Sequence, residues 1–234
     1  MEKKQSEYEL RKISEGVFDK STLMALYKLF RRGCLDELKG IVSTGKESRV
    51  YHGLWGDKEV AVKIYSIEAS DFKTMEKYIR GDHRFPRWRN RRQLIYIWAH
   101  KEFQNLARVY GKIKCPEPIA VEKNILVMSF IGEEGVSAPR MKDHPPDDLE
   151  ECLKKILGYI REIYKLDLVH CDLSEYNVLN WGQPYLIDFS MGVLLDHPLA
   201  EELLHRDVRN ILTYFRKLGI EKNEGKVLDF VTAG

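Results

Sequence analysis

The chain has 234 residues, of which 44% are hydrophobic and 32% are charged, and its formal net charge at pH 7 is +2. This size suits one domain of two lobes or two small domains, and the composition is ordinary for a folded protein. The small net charge excludes a globally basic chain, so any nucleic-acid-binding surface must be local.

Cysteine usage and hydropathy narrow the cellular context. The four cysteines are scattered and form no C-x-x-C pair, which argues against a disulfide framework or a zinc site and favours a reducing compartment. No apolar run approaches the roughly 20 residues that span a bilayer. Residues 1–5 lack the apolar core of a signal peptide. We therefore expect a cytoplasmic protein with no membrane partner.

The first half of the sequence predicts one helix followed by strands. The helix covers residues 21–32, with Ser21 or Thr22 as its N-cap, because apolar residues recur at helical spacing before Gly33. The strands are short, and the first three are expected to form an antiparallel meander. They are predicted over residues 41–42, 50–55, 60–65, 119–122 and 125–128.

The remaining segments are mostly helical. Residues 71–92 are charged and predicted to be irregular, and a helix is predicted over 93–110. Residues 132–146 are rich in Gly and Pro and are predicted to be a linker. Asp147 is expected to cap the next helix, with a last helix over 203–218. Strands first and helices later indicate an α+β fold with a cleft between two lobes.

Two polar loops near the end carry the strongest functional signal. Asp172 and Asn177 lie five residues apart in one loop, and Asp188 ends a short apolar run that follows. Protein-kinase sites combine an H-x-D-x-x-x-x-N loop with a D-F-G segment in this order. In such sites the first Asp accepts the hydroxyl proton, while the Asn and the second Asp hold Mg²⁺ against the phosphates. The pattern therefore predicts phosphoryl transfer.

Such a site also needs a lysine and a glutamate upstream. Lys63 ends a V-A-V-K segment on the third strand, although alternating strands often carry a lysine that simply faces water. Glu102 falls within the apolar face of the 93–110 helix, where a lone carboxylate would be costly. We expect Lys63 to pair with Glu102. The alternative is that Glu102 lies at the edge of this face and reaches water.

Two further segments could hold a nucleotide. The loop of residues 43–48 has one glycine, so it matches neither a three-glycine kinase loop nor a Walker A motif. Its small polar residues could still offer N–H groups to phosphates. Residues 128–132 lie where a hinge between lobes belongs, with backbone groups for an adenine edge and Met128 behind it. An ordinary hairpin loop and a plain strand end are the alternatives.

Several short motifs, each weak alone, are specific in combination. They lie at residues 43–48, 78–82, 98–103, 138–140, 170–177 and 206–210. Together they resemble the RIO family of atypical protein kinases, most closely its first subfamily, over about residues 40 to 220. The resemblance implies a trimmed bilobal kinase fold: a helical extension (1–40), an antiparallel-sheet N-lobe (41–131) and a mainly helical C-lobe (132–234).

The resemblance also implies cofactors and roles. The cofactors are ATP and Mg²⁺ or Mn²⁺, with Asp172 as proton acceptor and Asn177 and Asp188 as metal ligands. Asp188 would form an aspartyl-phosphate during ATP hydrolysis, and Lys63, paired with Glu102, would contact the α- and β-phosphates. The family acts in maturation of the small ribosomal subunit, so a pre-ribosomal partner is expected. The implied nucleotide-binding residues are Ser43, Thr44, Gly45, Lys46, Glu47, Ser48, Val50, Ala61, Lys63, Met128, Ser129 and Ile131.

Some features depart from ordinary protein kinases and leave alternatives open. Ser190 replaces the D-F-G glycine, Gly192 follows two residues later, and no A-P-E motif is present. The few residues after Asp188 leave little room for a peptide-docking subdomain. The alternatives to a serine/threonine kinase are a nucleotide-switched assembly factor, a small-molecule phosphotransferase of the aminoglycoside kind, and a non-catalytic ATP-binding module.

Two last features have both a functional and a plain interpretation. Residues 77–92 contain seven Lys or Arg with Phe85 and Trp88 among them, which is typical of RNA contact but also of a mobile solvated loop. Asp207, on the last predicted helix, could brace the loop around Asp172. Alternatively, it is an exposed charge near the start of that helix.

Overall fold

The computed structural model describes residues 18–68 and 72–233. Its N-lobe is an antiparallel sheet with helices packed on it and its C-lobe is mainly helical, so the predicted α+β bilobal fold is confirmed. The helices are α1 (Lys20–Arg31), α2 (Phe72–Ile79), α3 (Arg91–Val109), α4 (Leu149–Lys165), α5 (Ala200–Lys217) and α6 (Glu224–Thr232). The strands are β1 (Glu37–Thr44), β2 (Ser48–Trp55), β3 (Lys58–Tyr65), β4 (Pro118–Glu122), β5 (Ile125–Ser129), β6 (Gly132–Glu133), β7 (Val136–Ser137), β8 (Leu168–Val169), β9 (Val178–Asn180), β10 (Pro184–Leu186) and β11 (Val193–Leu194).

The N-lobe sheet has the strand order β1-β2-β3-β5-β4, and neighbouring strands are antiparallel. Successive side chains of β3 point to opposite faces. Val60 and Val62 join the apolar side chains of α1 in a cluster on the outer face. Ala61 and Lys63 line the cleft on the other face. This alternation carries Lys63 to the inner side of the sheet, towards α3.

A second apolar cluster continues from α3 into the C-lobe. It joins Trp98 and Leu106 of α3 to Phe189 and to Phe215 of α5, all of them fully buried. One apolar core therefore spans both lobes and includes α3. Among the helices of residues 18–68 and 72–233, none is long and apolar enough to cross a membrane.

The N-cap predictions for α1 and α4 are wrong. Asp19 caps α1, because its carboxylate accepts from the Ser21 N–H at 2.8 Å and from the Thr22 hydroxyl at 2.6 Å. Asp148, rather than Asp147, caps α4 by accepting from an N–H of the first turn at 2.9 Å. The cap is the residue whose side chain reaches the free N–H groups of the first turn, and neighbouring polar residues compete for that position.

Several elements occupy segments for which no regular structure was predicted, and the short strands β8 to β11 are among them. Helix α2 interrupts the charged segment 71–92, and its buried face consists of Met75, Tyr78 and Ile79. The β6–β7 hairpin lies in the predicted linker, where the Glu59 carboxylate accepts from the Gly135 N–H at 2.6 Å. Helix α6 follows the helix that was predicted to be last. Each is short enough that its apolar pattern is weak in the sequence, and tertiary contacts decide its structure.

Candidate active site

A cleft of about 420 Å³ separates the sheet from the C-lobe. Asn177 and Asp188, the two expected metal ligands, both line it. Most of the expected nucleotide-binding residues line it as well. These are Ser43, Gly45, Ser48, Val50, Ala61, Lys63, Met128, Ser129 and Ile131.

The remaining three residues of the 43–48 loop lie elsewhere. Thr44 and Lys46 border a second cavity behind the β1–β2 hairpin, next to Arg49 and Arg92. Glu47 does not line the cleft either, and its carbonyl accepts from the Ser66 N–H at 2.8 Å. Strand alternation explains the position of Thr44, because neighbouring side chains of a strand point to opposite faces. Lys46 and Glu47 lie in the bend between β1 and β2.

Lys63 connects two carboxylates at the back of the cleft. Its Nζ lies 2.9 Å from Glu102 Oε1 and 2.9 Å from Asp188 Oδ1. The Glu102 side chain is 0% exposed and also accepts a hydrogen bond from the Tyr65 hydroxyl. The expected Lys63–Glu102 pair is therefore present, and Glu102 does not reach water. The bridge ties α3 and the C-lobe to the sheet.

The charges at this bridge are set by burial and by their partners. Burial lowers the pKa of Lys63, but Asp188 and Glu102 outweigh burial, and the pKa rises above its usual value. Burial raises the pKa of Asp188, but the Lys63 ammonium and the Ser190 hydroxyl outweigh it and hold the pKa at about 2. Lys63 and Asp188 are thus both ionised at neutral pH.

The segment around Asp188 has an unusual backbone. Asp188 has a φ of 62°, in the left-handed region that non-glycine residues seldom adopt. The Ser190 hydroxyl, in the place of the D-F-G glycine, donates to Asp188 Oδ1 at 2.7 Å. The Asp188 side chain remains 37% exposed. Since Oδ1 is used by Lys63 and Ser190, Oδ2 is the oxygen left for a ligand in the cleft.

Asn177 holds Asp172. The Asn177 amide nitrogen donates to Asp172 Oδ2 and to the Asp172 carbonyl, each at 2.8 Å. Burial, together with the negative charge of Asp188, raises the pKa of Asp172 above its usual value. Asp172 does not line the cleft itself but is joined to it through Asn177. The amide oxygen of Asn177 is then free to serve as a ligand.

Asp207 braces the loop that carries Asp172. It is 1% exposed on α5, and its two carboxylate oxygens accept from the Cys171 N–H at 2.7 Å and the Leu173 N–H at 3.0 Å. Cys171 has a φ of 67°, and its carbonyl accepts from the Arg206 guanidinium. The bracing role is therefore confirmed, and Asp207 is not an exposed helix charge.

The buried Asp207 makes stability depend on pH. Burial raises its pKa to about 7, despite the two N–H donors that favour the charged form. A carboxyl whose pKa is raised on folding contributes most below its unfolded value near 3.8, and this contribution is lost as pH rises towards 7. We therefore expect the unfolding free energy of the wild type, relative to that of Asp207→Asn, to fall by a few kcal/mol between pH 4 and 7. Urea unfolding across this range measures it, and a constant difference would contradict the shift.

Some basic side chains of segment 77–92 make contacts within the protein. Arg84 is bound to Asp82, Arg92 lies 3.7 Å from Asp19, and the Arg91 guanidinium stacks on the Phe72 ring. The basic residues of this segment that remain on the surface for a partner are chiefly Lys77, Arg80, Arg87 and Arg89.

Comparison with known proteins finds relatives that are protein kinases. The RIO domain family matches residues 49–227. The chain is 40% identical to the RIO-type serine/threonine-protein kinase Rio1 of Haloferax volcanii, covering 94% of this chain and 78% of that protein. It is 42% identical to Rio1 of Methanocaldococcus jannaschii, covering 99% and 81%. It is 38% identical to human RIO1, covering 93% of this chain but only 40% of that protein.

Solved structures agree on the fold. The Rio2 kinase of Chaetomium thermophilum superposes with a TM-score of 0.69 at 25% identity, covering 86% of this chain and 63% of that one. An ADP/Mg²⁺-phosphoaspartate complex of the same kinase gives a TM-score of 0.69 at 24% identity, covering 87% and 62%. The chain thus spans about three fifths of the length of these two structures.

Proposed function

The chain belongs to the RIO family of atypical serine/threonine protein kinases, and we propose that it transfers the γ-phosphoryl group of ATP with Lys63, Asp172, Asn177 and Asp188 as its central residues. The observation that carries the proposal is the Lys63 bridge between Glu102 and Asp188, at 2.9 Å to each. This bridge supports a role for Lys63 on the α- and β-phosphates, with Glu102 fixing its position.

The cleft offers the ligands that Mg²⁺ prefers. Asp188 presents an ionised carboxylate oxygen and Asn177 an amide oxygen on the same wall. Mg²⁺ is usually held by one or two carboxylates together with substrate phosphates, so a cage of several acids is not needed. Residues 18–68 and 72–233 hold no cluster of three or more His, Cys, Asp or Glu side chains arranged for a metal ion. In this proposal Asn177 and Asp188 would hold Mg²⁺ or Mn²⁺, which would neutralise phosphate charge.

Asp172 is proposed as the proton acceptor for the attacking hydroxyl. Its carboxylate is oriented by Asn177, and its raised pKa makes it a stronger base than a solvated aspartate. Lys63 does not contact Asp172 directly, so the negative charge of Asp172 is not consumed by an ion pair with it.

The hinge, residues 128–132, would supply backbone groups that bind the edge of the adenine ring. The Ser129 N–H donates to the Glu117 carbonyl at 2.9 Å, and the Ile131 carbonyl accepts from the Ala138 N–H at 2.9 Å. The groups of these residues that can face a base are then the Ser129 carbonyl and the Ile131 N–H, one acceptor and one donor. Val50 and Ala61 of the sheet would cover the ring, with Met128 behind it.

A second candidate activity is ATP hydrolysis through Asp188. The Rio2 structure described above contains a phosphoaspartate. In this reaction an Asp188 oxygen would attack the γ-phosphorus, ADP would leave, and water would later hydrolyse the acyl phosphate. The low pKa of Asp188 supports its role as a nucleophile, because the carboxylate is ionised. Such a cycle suits a nucleotide-switched assembly factor with little protein-kinase activity.

Incubation with γ-labelled ATP and Mg²⁺, alone and with small-subunit ribosomal precursors, tests both activities. Label that is stable to acid and released as phosphoserine supports protein phosphorylation. Label that is lost in acid and absent from Asp188→Asn supports the aspartyl-phosphate. Absence of labelling, together with absence of metal-dependent ADP release, would contradict the proposed function.

We further propose a pre-ribosomal partner of the small subunit, contacted through RNA by residues 77–92. Arg87 and Arg89 are exposed, whereas Phe85 and Trp88, their neighbours in the sequence, are partly buried against the core. We expect Arg87→Ala combined with Arg89→Ala to reduce affinity for precursor RNA about tenfold and to flatten its salt dependence, because two phosphate contacts are lost.

Filter binding between 50 and 200 mM salt measures this effect. Lys226→Ala combined with Lys217→Ala, on the exposed surface of the C-lobe, makes the same charge change and should bind RNA as the wild type does. Equal losses in the two double variants would show that only net charge matters and would contradict a specific contact.

A further inference from the structure

A buried polar chain connects the loop after Asp188 to the segment after α2. Asn105 of α3 is 0% exposed, and its amide nitrogen donates to the Phe189 carbonyl at 2.8 Å and to the Gly192 carbonyl at 2.9 Å. Lys101, one turn earlier on α3, donates to the Ser190 carbonyl at 3.0 Å and also to the Gly192 carbonyl. Three carbonyls of residues 189–192 are thus held by two side chains of one helix.

Arg84 fixes the outer end of this chain. Its Nη1 donates to Asn105 Oδ1 at 2.9 Å, while its Nε and Nη2 donate to the two oxygens of Asp82 at 2.8 and 2.6 Å. The Asp82 side chain is 0% exposed and that of Arg84 is 12% exposed. Such a buried bidentate pair has a defined geometry.

The direction of these hydrogen bonds shows what Arg84 does in this buried polar chain: it fixes the orientation of the Asn105 amide. A guanidinium only donates, so it must meet the oxygen of the Asn105 amide. The amide nitrogen therefore faces the loop, where it donates to the carbonyls of Phe189 and Gly192. Without Arg84, Asn105 would lose the group that fixes its orientation, and the carbonyls of Phe189 and Gly192 would lose a firmly oriented donor.

Gly192 shows how closely the loop is held. A Cβ atom at this position would lie 2.9 Å from Asn105 Nδ2 and 3.2 Å from the Val169 carbonyl. Glycine is therefore required where the amide approaches the backbone. This accounts for the glycine that follows Ser190 by two residues in place of the ordinary D-F-G glycine.

We propose that Asp82, Arg84 and Asn105 are positioning residues that hold the 189–192 backbone and thereby aim the Asp188 carboxylate at the metal–nucleotide complex. The inference rests on the proposed metal role of Asp188. Their effect should appear in metal affinity, because residues behind a metal ligand typically change that affinity by about 10- to 100-fold.

The test uses two variants of the full chain and one matched control. Asp82→Asn combined with Arg84→Met removes both charges of the pair, so neither member is left as a buried ion without its partner. Arg84→Lys keeps the charge but cannot bridge Asp82 and Asn105 together. Arg216→Met is the control, since it removes an exposed arginine that lies on α5, away from the segment of Arg84. Mn²⁺ binding is measured by electron paramagnetic resonance in the presence of a non-hydrolysable ATP analogue.

Both Arg84 variants should bind Mn²⁺ about tenfold more weakly than the wild type, while metal-free ADP binding changes less than twofold and Arg216→Met matches the wild type. The inference would be overturned if the Mn²⁺ titration curves of the wild type and Arg84→Lys coincided. It would also be overturned if metal-free ADP binding weakened as much as Mn²⁺ binding. If the double variant does not fold, Arg84→Lys decides alone. Failure of the wild type itself to bind Mn²⁺ with the analogue would instead contradict the proposed function.

Discussion

Replacing Asp172 with alanine is expected to lower the rate of phosphoryl transfer by about 10²–10⁴-fold, or roughly 3–5 kcal/mol of activation free energy. The substitution removes the proposed proton acceptor but leaves Lys63, Glu102 and Asp188 in contact with one another. ATP affinity should change little, because Asp172 does not line the cleft. Loss of its negative charge also removes a repulsion from Asp188.

Single-turnover kinetics with saturating ATP separate these effects. Glu175→Gln is a suitable control, because it lies in the same loop and leaves unchanged the Glu175 carbonyl, which accepts from the Lys142 N–H at 3.1 Å. The acid limb of kcat/KM against pH should lie above the usual aspartate range in the wild type, since the pKa of Asp172 is raised and the base must be ionised. Full transfer by Asp172→Ala would remove Asp172 from this role.

The parts of the site that the sequence predicted are those that local physics determines. The high cost of burying Glu102 alone required a cation nearby, which favoured Lys63. Strand alternation by itself left open whether Lys63 faces inwards or faces water. The 2.9 Å contact between Lys63 and Glu102 decides this question. Asp207 was harder, because its helix register allowed either a buried or an exposed position. Only its two backbone donors decide in favour of burial.

The polar chain behind Asp188 shows what sequence reasoning could not reach. Arg84 was one of seven basic residues in a charged segment, and nothing local distinguishes it from Arg87 or Arg89. Its partners Asp82 and Asn105 are 2 and 21 residues away along the chain. Which arginine is buried depends on how α2 and α3 pack. The one available signal was Gly192, whose displaced position indicated an unusual backbone after Asp188.

The largest loss should follow Asp188→Asn, which is expected to reduce metal-dependent turnover by at least about 10³-fold, roughly 4 kcal/mol. Asparagine keeps the shape of the side chain and tolerates the left-handed φ of 62° better than most residues, so the fold should persist. Lys63 also keeps Glu102 as its partner. What is lost is the ionised oxygen that the proposal assigns to the metal.

Three measurements on Asp188→Asn decide the assignment: thermal unfolding, metal-free ADP binding and Mg²⁺-dependent ADP release. The first two should stay close to the wild type, while the third falls to background at every Mg²⁺ concentration. Asp229→Asn makes the same chemical change on the exposed surface of α6 and should leave all three unchanged. Since Asn177 would still offer its amide oxygen, wild-type turnover by Asp188→Asn would mean that the metal is held without Asp188. The cleft would then need a different source of negative charge, and the proposed geometry of phosphoryl transfer would be wrong.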